Sequence, residues 1–185
     1  MCGIIGILSN EYSIDFLING LKQLQNRGYD SAGLALLDGK NLSSLKKAGK
    51  VSDLSDTLSS KSIQGTCGIA HTRWATHGVP NDINAHPHLD KTGKIALVHN
   101  GIIENYDSIK KTLEFRGVAF KSETDSEVLV QLISELYYRG ESDLNFKDSV
   151  KAALQEVVGA FGIVAMCSDE PNTCLLYTSP SPRDP

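Results

Sequence analysis

The sequence predicts an α+β fold, layered β-sheets with helices packed outside them, and three observations lead there. Short apolar segments rich in Ile, Val, Ala and Gly recur: GIIGIL, AGLALL, CGIAHTRW, KIALVHN and GAFGIVAMC. They have the length and composition of strands, and several are apolar at every position, as strands buried on both faces are. Helical patterns lie between some of them, yet strand and helix do not alternate strictly, which argues against a doubly wound parallel sheet. No internal repeat is present.

The elements follow in order. The GIIGIL strand is succeeded by a helix in which Ile14, Leu17, Ile18, Leu21 and Leu24 share one face. Ser13 offers its N-cap and Arg27-Gly28 its stop. After the AGLALL strand, the stretch from Leu42 to Gln64, rich in Ser and Lys, reads as a surface excursion carrying one helix. Ile109 with Leu113 suggests a further helix. Another begins at TDSE, where Thr124 and Glu127 have capping-box spacing and Val128, Leu132, Ile133 and Leu136 form the stripe. Val150, Leu154 and Val157 suggest one more. The end, CLLYTSPSPRDP, has no periodicity and three prolines in its last six residues. It reads as a disordered, non-native tail over 174–185 that follows a domain of 1–173.

Composition narrows the function. With 185 residues, 41% hydrophobic and 22% charged, the chain is long enough for one domain with a sizeable core or for part of a larger one. A net charge of -4, with no basic run interleaved with aromatics, leaves no footprint for nucleic acid. Apolar runs such as AFGIVAMC fall far short of the roughly 20 residues a membrane helix needs, and no signal-like segment opens the chain. The expected partner is a small molecule or a protein, and the expected location the cytoplasm. The cysteines, Cys2, Cys67, Cys167 and Cys174, form no CxxC pair, so neither a zinc cage nor a disulfide framework is indicated. Cys67 and Cys167 read as core thiols.

Cys2 stands directly behind Met1. It is either a small buried strand residue or, once Met1 is removed, an N-terminal thiol that shares its residue with a free amine. An α-amine titrates near neutrality, at roughly 7.7–8.0, so it can act as a general base where a backbone amide cannot. Position alone leaves both readings open. Four other clusters carry chemistry beside a structural explanation. HTRWATHG (His71 to Gly78) packs polar and aromatic groups behind a strand. HNG (His99 to Gly101) is first a turn signal, yet an Asn amide can donate to an oxyanion and Gly lets a backbone N–H approach a ligand. SETD (Ser122 to Asp125) precedes a helix, where Asp125 would complement the helix dipole. RGYDSAG could be only a helix stop followed by a strand. NAHPH (Asn84 to His88) invites a metal reading, but no third ligand is spaced nearby, and no metal is assigned.

Together MCGIIGI, RGYDSAG, HTRWATHG, NAHPH, HNGIIENY and SETDSE resemble, in order and approximate spacing, the glutaminase domains of class II glutamine amidotransferases, and among these the glucosamine-6-phosphate synthase family (glutamine–fructose-6-phosphate aminotransferases, isomerising). The resemblance runs from Met1 to about Thr173. It implies the N-terminal-nucleophile hydrolase fold, a four-layer αββα sandwich of antiparallel sheets between helical layers, here lacking its last strands. It implies hydrolysis of L-glutamine by Cys2 through a thioester, with Asn100 and Gly101 as oxyanion hole. Arg73 is implied on the substrate carboxylate and Asp125 on its ammonium. Trp74, Thr76, His77 and Gly78 are implied in a loop that closes over glutamine, and Arg27 as a support near the nucleophile. No metal or organic cofactor is implied. Fructose 6-phosphate would meet the ammonia only through isomerase modules absent here, in a homo-oligomeric parent. Two alternatives stay open: an amidotransferase of the same class with another ammonia acceptor, and a non-catalytic glutamine-binding module, against which Cys2 argues because binding needs no nucleophile.

Overall fold

The computed structural model describes residues 2–75, 78–139 and 144–179. In chain order these form β1 (Gly3–Leu8), α1 (Ile14–Leu24), a 3₁₀ turn (Gln25–Arg27), β2 (Ser31–Asp38), β3 (Asn41–Ala48), α2 (Val51–Ser59), β4 (Cys67–Arg73), β5 (His88–Leu89), β6 (Ile95–Gly101), α3 (Tyr106–Phe115), α4 (Asp125–Arg139), α5 (Phe146–Glu156), β7 (Phe161–Cys167) and β8 (Cys174–Thr178). Two antiparallel sheets result. Sheet A has the order β1-β4-β2-β3 and sheet B the order β5-β6-β7-β8.

Side-chain alternation explains both the layering and the unbroken apolar runs. Successive strand residues point to opposite faces. On β2, Ala32, Leu34 and Leu36 pack with Leu17, Ile18 and Leu21 of α1 and with Leu54 of α2, while Ala35 and Leu37 face the other sheet. On β6, Ala96 and Val98 face sheet A, whereas Ile95 and Leu97 join the core beneath α3, α4 and α5. β7 divides likewise, with Val164 and Met166 inward and Ile163 and Ala165 toward the helices. Three apolar cores therefore separate four layers in the order helix, sheet, sheet, helix, as the family resemblance implied. Cys67 and Cys167 are buried in these cores as expected. No helix among the described residues is long and apolar enough to cross a membrane.

The structure corrects four local expectations. The stretch from Leu42 to Gln64 contains most of the strand β3 as well as the helix α2. This edge strand buries only Leu45 fully and leaves its Ser and Lys residues partly exposed, so it lacks the alternation that would reveal it. Cys174–Thr178 is not disordered but pairs with β7 from Gly162 to Met166 as β8; residues 180–185 lie outside the described residues. Main-chain hydrogen bonding to an otherwise unpaired edge drives that pairing, which hydrophobic pattern does not encode. Ser13 occupies the N-cap position of α1, but its hydroxyl donates to the carbonyls of Glu11 and Thr66 instead. The expected capping box is half formed: Thr124 Oγ1 accepts from the Glu127 N–H, while the Glu127 carboxylate turns to the N–H groups of Lys121 and Ser122.

Candidate active site

The site forms where the sheet–sheet interface ends. β1 runs antiparallel to β4 with Gly3 opposite Thr72, so the start of β1 lies beside the end of β4. On β4 the residues facing sheet B are Cys67 and Ile69, and two-residue steps continue that face to His71 and Arg73. On β6 the same step from Ala96 and Val98 leads to Asn100, while His99 falls on the helix-facing side. An apolar interface thus turns polar at one end. There a small cavity of ≈ 40 Å³ is lined by Cys2, Arg73, Trp74, Asn100, Gly101 and Asp125, with His71, His86, His99, Thr124 and Ser126 completing the wall.

Cys2 is half-buried. The Trp74 N–H donates to its Sγ at 3.1 Å, and the thiol lies 3.6 Å from the Trp74 carbonyl. That contact ties the sulfur to the residue that follows β4, on the cavity wall. The next residue is fixed as well, since the Gly3 N–H donates to Thr72 Oγ1 at 3.1 Å. Asn100 reaches across from sheet B, its Nδ2 donating to the Cys2 carbonyl at 3.1 Å and its Oδ1 lying 2.8 Å from His71 Nε2. Nδ2 carries two protons, so one remains for a ligand beside Cys2. Gly101 has φ +122, and a Cβ there would run into the Ala160 carbonyl and the Phe161 backbone. Only glycine brings the chain through this point without strain.

Arg73 and Asp125 are both buried on the cavity wall. The Arg73 guanidinium lies 4.0 Å from Asp30 Oδ1 and donates to the Gly78 carbonyl at 3.4 Å. Asp125, at the start of α4, accepts from the Ile103 N–H at 2.9 Å. One buried cation and one buried anion on the same small cavity match a zwitterion such as the head of an α-amino acid.

The sequence-derived site residues are not all gathered. Trp74 is 49% exposed at the rim and meets Tyr29 edge-on at 5.2 Å. Gly78 touches the site through the carbonyl that Arg73 holds. Thr76 and His77 lie outside the described residues. Arg27 is exposed in the 3₁₀ turn and is not on the cavity wall, because the chain reverses there to enter β2; its neighbour Gly28 packs against the Arg73 backbone instead.

Other residues of the quoted motifs prove important without having been singled out. Asp30 of RGYDSAG accepts from the Ala75 N–H and from Ser31 Oγ, anchoring the segment after Arg73. The histidines of NAHPH serve the wall: His88 Nε2 meets Thr124 Oγ1 at 3.0 Å, and His86 Nε2 lies 3.4 Å from Ser126 Oγ. His99 Nδ1 pairs with the same Ser126 Oγ at 2.8 Å. Burial holds His86 and His88 well below the ordinary imidazole range and brings His71 down to about 4. These three rings are neutral at physiological pH. The signal for His71 was its strand parity with Arg73; His86 and His88 sit on a loop, where no periodicity places a side chain.

A family profile for a glutamine amidotransferase domain matches residues 46–145. The chain is 49% identical over 185 residues to a glutamine–fructose-6-phosphate aminotransferase (isomerizing) of Chlorobaculum tepidum, covering 98% of this chain and 30% of that protein. It is 48% identical over 183 residues to the protein of the same name from Bacteroides thetaiotaomicron, with the same coverage. The chain therefore spans about 30% of the length of these relatives. Among solved structures, glutamine phosphoribosylpyrophosphate amidotransferase from B. subtilis, complexed with ADP and GMP, superimposes with a TM-score of 0.76 at 29% identity, covering 91% of this chain and 35% of that one. A structure described as the allosteric regulatory enzyme of purine biosynthesis gives 0.79 at 30% identity, over 91% of this chain and 36% of that one.

Proposed function

The chain belongs to the glutamine amidotransferase domain family, and from that premise we propose that it is a glutaminase whose nucleophile is Cys2. The observation that carries this reading is the meeting of the Cys2 thiol, an Asn100 amide with an uncommitted proton, and the Arg73 and Asp125 charges on one cavity. Removal of Met1 frees the Cys2 amine, which takes the thiol proton as Sγ attacks the side-chain amide carbon of glutamine. The charge developing on the amide oxygen is met by Asn100 Nδ2–H and the Gly101 N–H. Collapse breaks the C–N bond, the amine returns its proton to the departing ammonia, and a γ-glutamyl thioester remains. Water, deprotonated by the same amine, hydrolyses it to glutamate.

Arg73 holds the substrate carboxylate through its planar fork and Asp125 holds the ammonium. Trp74, on the cavity rim, covers bound glutamine and retains ammonia, with Gly78 held against Arg73 beside it. The acceptor we assign is fructose 6-phosphate, giving glucosamine 6-phosphate for hexosamine biosynthesis in the cytoplasm, on modules outside this chain and in a homo-oligomeric parent. Identity of 48–49% to aminotransferases of that name, against 29–30% to the two solved structures, favours this acceptor over others of the class.

The test compares glutamine hydrolysis by protein that begins at Cys2 with protein carrying one residue ahead of it. Release of glutamate and ammonia by the first alone is expected, because an acylated amine has no useful basicity. Equal hydrolysis by both would refute the amine's role, and hydrolysis by neither would refute the glutaminase reading.

A further inference from the structure

The Cys2 carbonyl can only accept, so the Asn100 side-chain atom 3.1 Å from it is the amide nitrogen. That fixes the orientation of the amide and sends Oδ1 to His71 Nε2, 2.8 Å away. An amide oxygen also only accepts. His71 Nε2 therefore carries the ring proton, and Nδ1 of the neutral ring carries the lone pair. His71 is buried and its pKa is lowered to about 4, chiefly by that burial, so the ring is neutral and only one of its nitrogens carries a proton. One observation agrees with the Nε2–H tautomer. Its Nδ1 is buried with no hydrogen-bond partner among the described residues, a situation more readily tolerated for a lone pair than for an N–H.

We propose that His71 is a positioning residue for the oxyanion-binding amide: its Nε2–H locks Asn100 so that one Nδ2 proton stays on the Cys2 carbonyl and the other meets the developing oxyanion. The inference rests on the reading of Asn100 as an oxyanion donor. Rotated by half a turn, the amide would set its oxygen against the Cys2 carbonyl and turn a lone pair toward the negative charge it should stabilise. The His71 ring is itself held firmly. Its strand position lies between Ile4 of β1 and Gly33 of β2, and its ring stacks on His86 at 4.2 Å with an interplanar angle of 27°. The sheets therefore exchange support: sheet A supplies the imidazole that orients a donor on sheet B, and that donor in turn binds the carbonyl of the nucleophile on sheet A.

Long-range ¹H–¹⁵N correlation of the imidazole rings in the labelled 185-residue chain reads the tautomer directly. The ring signals of His71, assigned by their loss in His71→Phe, should show the Nε2–H form from pH 8 to pH 5 and should shift in Asn100→Ala. In glutamine hydrolysis, His71→Phe keeps an aromatic ring but has no N–H. It should lower kcat by roughly 10–100-fold, the usual effect of losing a group that orients a reacting one, with the KM for glutamine nearly unchanged. His71→Gln, whose amide reaches the position of Nε2, should recover most of the rate. An Nδ1–H tautomer in an active wild type overturns this inference alone. So does a folded His71→Phe whose kcat is unchanged or whose loss lies wholly in KM. If His71→Phe does not fold, the wild-type tautomer decides, with the His71 ring signals assigned by their loss in His71→Gln. A wild type that leaves glutamine intact overturns the glutaminase reading instead.

Discussion

Sheet A delivers Cys2 and Arg73 to the cavity from a strand start and a strand end that adjoin an exposed segment, with Trp74 half in solvent. Sheet B delivers Asn100 from a central strand and, through the helix layer upon it, Asp125 from the first residue of the largely buried α4. On the proposed reading, the nucleophile and the carboxylate clamp lie on the side that is open to the outside, and the oxyanion donor and the ammonium clamp on the side that is packed. Catalytic power needs preorganised donors that do not move at the moment of reaction, whereas a nucleophile and a substrate clamp must be reached by the incoming ligand. The difference gives each sheet its own signature.

The largest expected effect is on sheet A. Cys2→Ala should abolish glutamine hydrolysis while leaving glutamine binding, followed by calorimetry, largely intact, because the proposed clamp of Arg73 and Asp125 is untouched. Steady residual turnover in a homogeneous sample would show that sheet A does not supply the nucleophile.

Next in size is the contrast between Asn100→Ala and Arg73→Lys. Removing the oxyanion donor on sheet B should lower kcat by about 10²–10³-fold with a smaller change in KM, as in a comparable oxyanion hole. Replacing the sheet A guanidinium by a single ammonium should act mainly by raising KM, because a point charge cannot grip a carboxylate at two points. Steady-state kinetics on both variants checks this, and matching signatures would erase the distinction between the two sheets.

The smallest effect concerns stability and acts on both sides at once. His71 on sheet A, His88 on sheet B and His86 between them are held neutral by burial, with folded pKa values below the unfolded value of roughly 6.5. Between pH 6.5 and the lowered folded values the unfolded chain binds more protons than the folded one, so stability is full above that window and is lost as pH falls through it. Urea midpoints should be level from pH 8 to 7 and decline below about pH 6.5. His88→Gln should flatten the decline. A profile that stays level down to pH 5 would mean that these rings are not held neutral.

Much of the fold could be read from local pattern. The five apolar runs became β1, β2, β4, β6 and β7, and the stripe that follows Ser13 became α1, because side-chain period is a property of neighbouring residues. Strand parity even ordered part of the site, since two-residue steps from Ile69 and Val98 arrive at His71 and Asn100. The edges were not legible. β3 and β8 are held mainly by main-chain hydrogen bonds to a neighbouring strand, and such bonds leave little trace in side-chain sequence.

By itself the sequence determined the chemistry on offer: a thiol behind Met1, an Asn-Gly at the end of a strand, an arginine in a polar and aromatic cluster and an aspartate opening a helix, each set by residue type and local period. Only the tertiary structure decided which of them act on one another. Cys2 and Asn100 stand 98 residues apart and touch because two sheets stack with their polar ends aligned. Arg27, quoted in the same motif as Asp30, stays outside while Asp30 anchors the segment after Arg73. His86 and His88, whose spacing offered no third ligand for a metal, become neutral packing between α4 and the strands. Contacts of this kind depend on register and layer packing, which arise from the summed burial of three cores rather than from any short stretch of chain.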